Sequence, residues 1–367
     1  MNPVLVDLYA GVGGMSLGAA RAGFSLGAAF EWDPIALGSH AVNFPNASHG
    51  LRDVGQLSGK DVLESVGGTA PVGIVGGPPC QGFSSIGKRV VDDPRNSLFG
   101  NFFRIVAEVR PKFFVAENVP GLLGERNAKI VAQALDNIPS DYRILTPTIM
   151  KASDFGVPTT RRRVFFVGYN PNEMEPLIEE ELFRPAGAEV NVGRALRGLP
   201  TIRASWQTAE QGWRQASYAA DDADFASRLT GRIPAGVGDK AAIKKLKAGI
   251  LSGNLGTEHT LDVVKRFRSV KPGQIDAISR APRLSAEGFC PTLRAGTNSD
   301  RGSFQALRPI HHKSPRVITP REAARLQGFP DWFQFHETKW HSFRQIGNSV
   351  SPPVAETLLS RIRSKLE

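Results

Sequence analysis

Cysteine is almost absent. Of 367 residues only Cys80 and Cys290 carry a thiol, and they stand too far apart in sequence to make a metal-ligand spacing. The scarcity leaves no basis for a disulfide framework or a metal site and points to a reducing compartment such as the cytoplasm. Long apolar runs are missing too. None approaches the ~18 residues of a membrane span, and no charged-then-apolar leader opens the chain, so a soluble, unprocessed protein is expected. Internal repeats and low-complexity tracts are also lacking, which excludes solenoids and repeat arrays. Acidic residues are in deficit: 45 Lys and Arg face 35 Asp and Glu, a formal net charge of +10.

The deficit is local. Between residues 184 and 313 stand 21 Lys/Arg and 11 Asp/Glu, whereas the rest of the chain holds 24 of each sign. A basic segment attached to a neutral body is the pattern of a polyanion-binding module beside a catalytic one. The length suits two domains or one large α/β unit with insertions.

Short apolar runs at residues 3–10, 25–30, 72–75, 113–116 and 164–168 read as buried strands, with helical spacing between several of them. Met15 to Ala22 is one such helix, with Gly23 as its C-terminal cap. Strands alternating with helices predict a doubly wound, mostly parallel α/β sheet over the first 183 residues. From about residue 184 Arg, Gly and Pro become frequent and periodic runs scarce, which predicts a second, smaller, loop-rich domain over 184–340. Near the C-terminus, Thr319 reads as the N-cap of a helix with Pro320 in its first turn. Residues 341–367 are expected to return to the first domain.

Four constellations carry chemistry. Gly76-Gly77-Pro78-Pro79-Cys80-Gln81 follows an apolar strand and holds a thiol on a turn that Pro78 and Pro79 keep from continuing as strand or helix. Asp7 to Gly18 is a glycine-rich strand-to-helix turn that lets a backbone approach a nucleotide, although Ser16 stands where the dinucleotide fingerprint has its third glycine. Glu31 ends the next strand, where a carboxylate can accept from ribose hydroxyls, and Trp32 beside it can stack on an adenine. Glu117 follows the strand 113–116, on the edge where doubly wound sheets bind ligands. Arg161 and Arg163 precede the strand 164–168, with alternation placing them on one face and Arg162 on the other.

These blocks together resemble the DNA cytosine-5 methyltransferases, which use S-adenosylmethionine. The resemblance rests on Asp7-Leu8-Tyr9-Ala10-Gly11-x-Gly13-Gly14, Pro78-Pro79-Cys80-Gln81, Glu117-Asn118-Val119, Arg161-x-Arg163, the run from Arg321 to Pro330, and Gln345-Ile346-Gly347-Asn348-Ser349, all in the family's order. It implies that Cys80 attacks carbon 6 of a flipped-out cytosine, that Glu117 hydrogen-bonds the ring nitrogen 3 and the exocyclic amine, and that Arg163 holds the carbonyl at position 2 with Arg161 in support. By the same resemblance the cofactor pocket draws on Tyr9, Ala10, Gly11, Gly13, Gly14, Glu31, Trp32, Asp53, Pro79, Leu98, Asn348 and Ser349, with Asp53 accepting from the adenine amine. Gln81, Ser84, Lys88 and Arg89 fall in what would be a loop that closes over the base and touches phosphates. Residues 184–315 would read the sequence of double-stranded DNA, and a monomer is expected. The sequence departs from the family at Tyr9, commonly Phe, and at Thr159, commonly Gln. A transfer-RNA cytosine methyltransferase would share the catalytic residues, but the long basic segment favours duplex DNA.

Overall fold

The computed structural model describes residues 2–79, 96–202, 212–217, 223–231, 233–295 and 308–366. From the N-terminus run β1 (Val4–Leu8), α1 (Gly14–Arg21), β2 (Ser25–Glu31), α2 (Pro34–Asn43), β3 (Ser48–Leu51), α3 (Gly59–Ser65) and β4 (Gly73–Gly76). There follow α4 (Asn96–Val109), β5 (Phe113–Asn118), α5 (Ala128–Leu135), β6 (Arg143–Ile144), β7 (Thr148–Lys151), β8 (Arg162–Tyr169) and α6 (Glu179–Leu182). Then come α7 (Val192–Ala195), β9 (Arg214–Gln215), α8 (Ala223–Thr230), α9 (Lys240–Lys247), β10 (Ile250–Leu251) and α10 (Leu261–Ser269). The last three helices are α11 (Pro320–Leu326), α12 (Lys339–Asn348) and α13 (Pro352–Arg363).

The chain divides into two compact units. One takes Met1–Lys151, Arg162–Pro185 and Val354–Glu367, the other Ala152–Arg161 and Ala186–Pro353. In the first unit the sheet runs β3-β2-β1-β4-β5-β8-β6, with β7 also paired to β8. The five strands from β3 to β5 are parallel, and β8 is antiparallel to β5. Successive crossovers go outward from β1 to β2 and β3, then back to β4 and β5. The order therefore reverses between β1 and β4, and a doubly wound sheet opens its ligand crevice at the carboxyl ends of such a pair.

Packing explains why these runs became strands. Val6, Leu8, Ile74, Phe114 and Phe166 are fully buried against α4, whose Phe99, Phe102 and Phe103 are equally inaccessible. The rings meet edge-on, Phe99 to Phe103 at 5.0 Å and Phe103 to Phe114 at 5.6 Å, the arrangement the ring quadrupole favours. Gly23, at φ +90°, closes the helix before β2 in the left-handed conformation expected of it. Within the first unit α13 returns to α1 with Leu358, Leu359 and Ile362 fully buried, and Arg21 pairs with Glu356 at 3.8 Å. The return begins at Val354 rather than at residue 341. Residues before it are tied into the second unit, where Gln327 Nε2 donates to the Ser349 carbonyl at 2.9 Å and Ser351 donates to the Gln327 carbonyl at 2.9 Å.

Among the described residues the second unit is rich in loops and carries the two-stranded ribbon β9-β10. Its centre is α11, whose Thr319 and Glu322 form the reciprocal cap the sequence predicts, with Pro320 in the first turn. Arg316 clasps Glu322 through two bonds of 2.9 and 2.7 Å, and Arg325 clasps Asp331 in the same way at 2.9 and 2.7 Å. Buried Arg321 donates to the carbonyls of Ser252, Pro330 and Phe333. The run from Arg321 to Pro330 is thus structural.

At Gly18 the helices α1 and α13 approach closely, since a Cβ there would collide with Ala355 and stand 2.7 Å from the Glu356 nitrogen. Gly18→Val is expected to lower stability by about 1–3 kcal/mol through overpacking. Urea unfolding of the full chain measures it, with a shifted midpoint at unchanged slope as the expected outcome.

Candidate active site

The end of β1 is a built turn. Tyr9 and Gly11 take the left-handed conformation at φ +58° and +56°, and Gly13, the N-cap of α1, sits at +100°. Nothing lies within 4 Å of where a Gly11 Cβ would be, so the turn presents bare backbone to open space. The Tyr9 hydroxyl, absent from the commoner Phe, donates to the Leu98 carbonyl at 2.8 Å and ties the turn to the first residues of α4. Ala10 is buried and donates its N–H to the Phe30 carbonyl at 3.1 Å.

Glu31 holds this turn from the next strand. Its Oε2 accepts from Gly11 N at 2.9 Å, and its Oε1 accepts from Trp32 N and Asp33 N, each at 2.9 Å. Burial raises its pKa while those three backbone donors pull it down. Trp32, by contrast, is 66% exposed, an unusual position for an indole and one open to stacking. Asp53, expected at an adenine amine, is exposed and caps a short turn by accepting from Gly55 N at 2.8 Å.

Beside β1, the end of β4 begins the Pro78-Pro79 turn. Asn118 at the end of β5 donates its side-chain amide to the Pro78 carbonyl at 3.2 Å and so fixes how the turn leaves the sheet. Glu117 is 7% exposed and forms an ion pair with Arg163 of β8, Nε to Oε1 2.7 Å. A Cβ on Gly77 would lie 3.5 Å from the other carboxylate oxygen, so Glu117 points toward the β4 exit. Cys80, Gln81, Ser84, Lys88 and Arg89 lie outside the described residues.

The remaining expected residues belong to the second unit. Arg161 is 2% exposed and donates to the carbonyls of Gly347 at 2.9 Å and Leu293 at 3.4 Å, so it ties two segments of that unit together. Thr159 is fully buried and donates to the Cys290 carbonyl at 2.9 Å, the structural use of the position where the sequence departs from the family. Cys290 is buried, which pushes its thiol pKa far up and leaves it inert. Asn348 is exposed at the end of α12 and Ser349 is buried beside it.

The sequence pattern does not reveal a polar file in the first unit: Asp7, Ser16, His40 and His49. Burial raises Asp7 to about 7, with the nearby Glu31 adding to the rise. No spacing rule joins positions 7, 16, 40 and 49. Asn118 is legible within Glu117-Asn118-Val119, but its role as a strut emerges only from the fold. Among the described residues no cluster of His, Cys, Asp and Glu could hold a metal ion, and no helix is long and apolar enough to cross a membrane.

A reversed parallel sheet with a bare glycine turn at β1, a proline turn at β4 and a buried carboxylate at β5 defines a nucleotide-cofactor enzyme of the Rossmann-like class. The sequence profile of the C-5 cytosine-specific DNA methylases matches residues 4–364, and the chain belongs to that family: it is a DNA cytosine-5 methyltransferase. It is similar to the Type II methyltransferase M.XorII of Xanthomonas oryzae pv. oryzae, 40% identical over 376 residues covering 100% of this chain and 85% of that protein. M.DdeI of Desulfomicrobium norvegicum is 33% identical over 98% of this chain and 88% of its own length. A solved structure described as a prophage-encoded DNA modification methyltransferase from E. coli superposes with a TM-score of 0.90 at 46% identity, covering 99% of each chain. The Dnmt2 methyltransferase of S. pombe, at 18% identity and a TM-score of 0.61 over 98% of each chain, shares the fold.

Asp7 makes a prediction about stability. Its pKa rises from the ordinary 3.8 to about 7 on folding, so the folded state binds more protons between those values and stability falls as pH rises through them. Asp7→Asn removes that slope. The variant is expected to gain on the wild type at pH 8 relative to pH 4, by up to about 4 kcal/mol. Denaturant unfolding at both values reads the difference, and equal effects at the two would exclude a buried proton on Asp7.

Proposed function

We propose that the chain transfers a methyl group from S-adenosylmethionine to carbon 5 of cytosine within a specific sequence of double-stranded DNA, through a covalent bond to Cys80. The single observation that carries this reading is the adjacency of β1 and β4: the cofactor turn and the Pro78-Pro79-Cys80 segment leave neighbouring strands at one sheet edge. The residues fit the cofactor. Gly11 leaves open space for a close approach and Trp32 offers an exposed ring, while Glu31 keeps the turn in shape. When bound, the cofactor supplies an electrophilic methyl on a sulfonium.

The protein's own part begins with the thiolate. Carbon 5 of cytosine is a poor nucleophile, so Cys80 adds to carbon 6 and its electron pair makes carbon 5 electron-rich. Glu117, aimed toward the β4 exit and steadied by Arg163, hydrogen-bonds nitrogen 3 and the exocyclic amine as charge develops. Arg163 carries its charge to the carbonyl at position 2, with Arg161 in support. After transfer a base takes the proton from carbon 5, the freed C–H electron pair restores the 5,6 double bond, and the bond to Cys80 breaks to release its thiolate. None of this fits inside a stacked duplex, so the base is flipped out at a cost of a few kcal/mol. The loop bearing Gln81, Ser84, Lys88 and Arg89 closes over it.

Residues 184–315 supply recognition, and α9 suggests how. Lys240, Lys244 and Lys247 stand four and three residues apart on one exposed ridge, and Lys245 lies 3.8 Å over the Trp213 ring. The protein acts as a cytoplasmic monomer, the modification half of a restriction-modification pair or a solitary relative of one.

Two experiments test the reading. Incubation with labelled S-adenosylmethionine and mixed duplex DNA should label the DNA, and Cys80→Ala should abolish the label. Transfer that survives loss of the thiol would contradict the mechanism, and transfer to tRNA alone would contradict the substrate. For recognition, removing a lysine that neutralises one phosphate should reduce the salt slope of DNA binding by about 0.9, so K240A/K244A/K247A should flatten it by up to about 2.7. An unchanged slope would move the DNA face away from α9.

A further inference from the structure

The reaction as written leaves the buried polar file unused. Ser16 Oγ lies 2.5 Å from Asp7 Oδ2 and 3.0 Å from His40 Nε2, and His40 Nδ1 lies 2.9 Å from His49 Nε2. Asp7 is 1% exposed, Ser16 and His40 not at all, and only half-buried His49, on the edge strand β3, meets solvent. The file lies directly under the cofactor turn. A Cβ on Gly13 would run into the Phe44 ring and stand 3.0 Å from His40 Cδ2, and the Phe44 ring packs tilted against His40 with centroids 4.5 Å apart. The remaining Asp7 oxygen, Oδ1, is buried without a hydrogen-bond partner.

Three links can be made in two ways. The His49 ring also bonds to the Ala47 backbone, and with Nε2 facing His40 that proton belongs on Nδ1. A neutral His49 then accepts from His40 Nδ1–H, His40 Nε2 accepts from Ser16, and Ser16 accepts from a protonated Asp7. In the reverse order Ser16 donates to an ionised Asp7, His40 Nε2–H donates to Ser16, and a cationic His49 donates to His40. Every link is satisfied in both, and they differ by one proton moved from Asp7 to His49, which hands it to water.

The charges around the file say where the proton rests. Asp7 faces the Glu31 carboxylate from β2, Ser16 from α1, and uncharged Gly73–Gly76 from β4, while His40 faces Ser16 and His49. Two carboxylates in one buried region favour keeping one neutral. Glu31 accepts three backbone N–H groups, whereas Asp7 is stabilised as an anion only from Ser16, chiefly by its hydroxyl and less by its backbone, so the proton falls to Asp7. Burial keeps His40 from holding it midway.

We propose that this file couples the charge of the bound cofactor to Asp7: the sulfonium of S-adenosylmethionine drives the Asp7 proton out through Ser16 and His40 to His49, and the neutral thioether product lets it return. The inference rests on the cofactor reading above. Asp7 is then a charge-compensating residue. It favours the cationic donor over the product at the moment of binding and relaxes once the charge is gone.

Calorimetric titration of the full chain at pH 7, in buffers of different ionisation enthalpy, counts the protons. S-adenosylmethionine should release about half a proton more per site than S-adenosylhomocysteine, and Asp7→Asn should erase the difference. In 15N-histidine spectra of the wild type, His40 should pass from the Nδ1–H to the Nε2–H tautomer with the donor and not with the product, a reading independent of whether the variant folds. Binding of both ligands with equal proton release and an unmoved tautomer overturns the inference and leaves the cofactor reading standing. Failure of either ligand to bind overturns both.

Discussion

The parallel pairing of β1 with β4 is the constraint on which the rest depends. Gly76 is opposite Leu8, and any side chain at Gly76 would run into the Leu8 carbonyl oxygen. Because the strand order reverses at this pair, the connections after β1 and β4 diverge to opposite faces of the sheet and leave a crevice between them. The glycine turn occupies one lip and the Pro78-Pro79 turn the other. β5, next in the sheet, adds Glu117 and Asn118, the first as a charge and the second as a strut to Pro78. Sheet topology thus brings to one edge the two turns at which the proposed chemistry needs its donor and its activated acceptor.

Buried charge is handled in two ways in this molecule. Where rigidity is wanted, each charge is matched: Arg325 with Asp331 at zero exposure, Arg316 with Glu322, and Glu31 with three backbone donors. Bidentate geometry offsets the desolvation cost that would otherwise make such pairs unfavourable. Among the described residues Asp7 is handled differently: no cation pairs with it, Ser16 alone hydrogen-bonds it, and its Oδ1 is buried without a hydrogen-bond partner. An unmatched carboxylate is costly unless it takes a proton, and its placement under the cofactor turn gives that proton a use.

How much of this is legible in the sequence depends on the range of the interaction. The strands at β1, β2, β4, β5 and β8 show as apolar runs, and the caps at Gly23 and Thr319 as residue types, because those signals are local. The short strands β3, β6 and β7 escape, since two to four residues at a sheet edge carry no period of their own. Arg161 looks like a partner of Arg163 by alternation, yet its guanidinium binds carbonyls of residues 293 and 347, contacts that no local pattern foretells. The residue types proposed for catalysis are legible through their neighbours in the chain. The Asp7 file is not, because its four members meet only once α1, α2 and β3 have packed.

The central claim is that the methyl donor and a thiol-activated cytosine meet at one sheet edge. A duplex with fluorine at carbon 5 of the target cytosine tests it most directly, since fluorine cannot leave as a proton does and the adduct after methyl transfer cannot collapse. Peptide mass spectrometry should find a DNA adduct on Cys80, carrying one added methyl, formed only when S-adenosylmethionine is present. Methyl transfer to normal cytosine with no adduct on the fluorinated duplex, or an adduct on any other residue, would contradict the account.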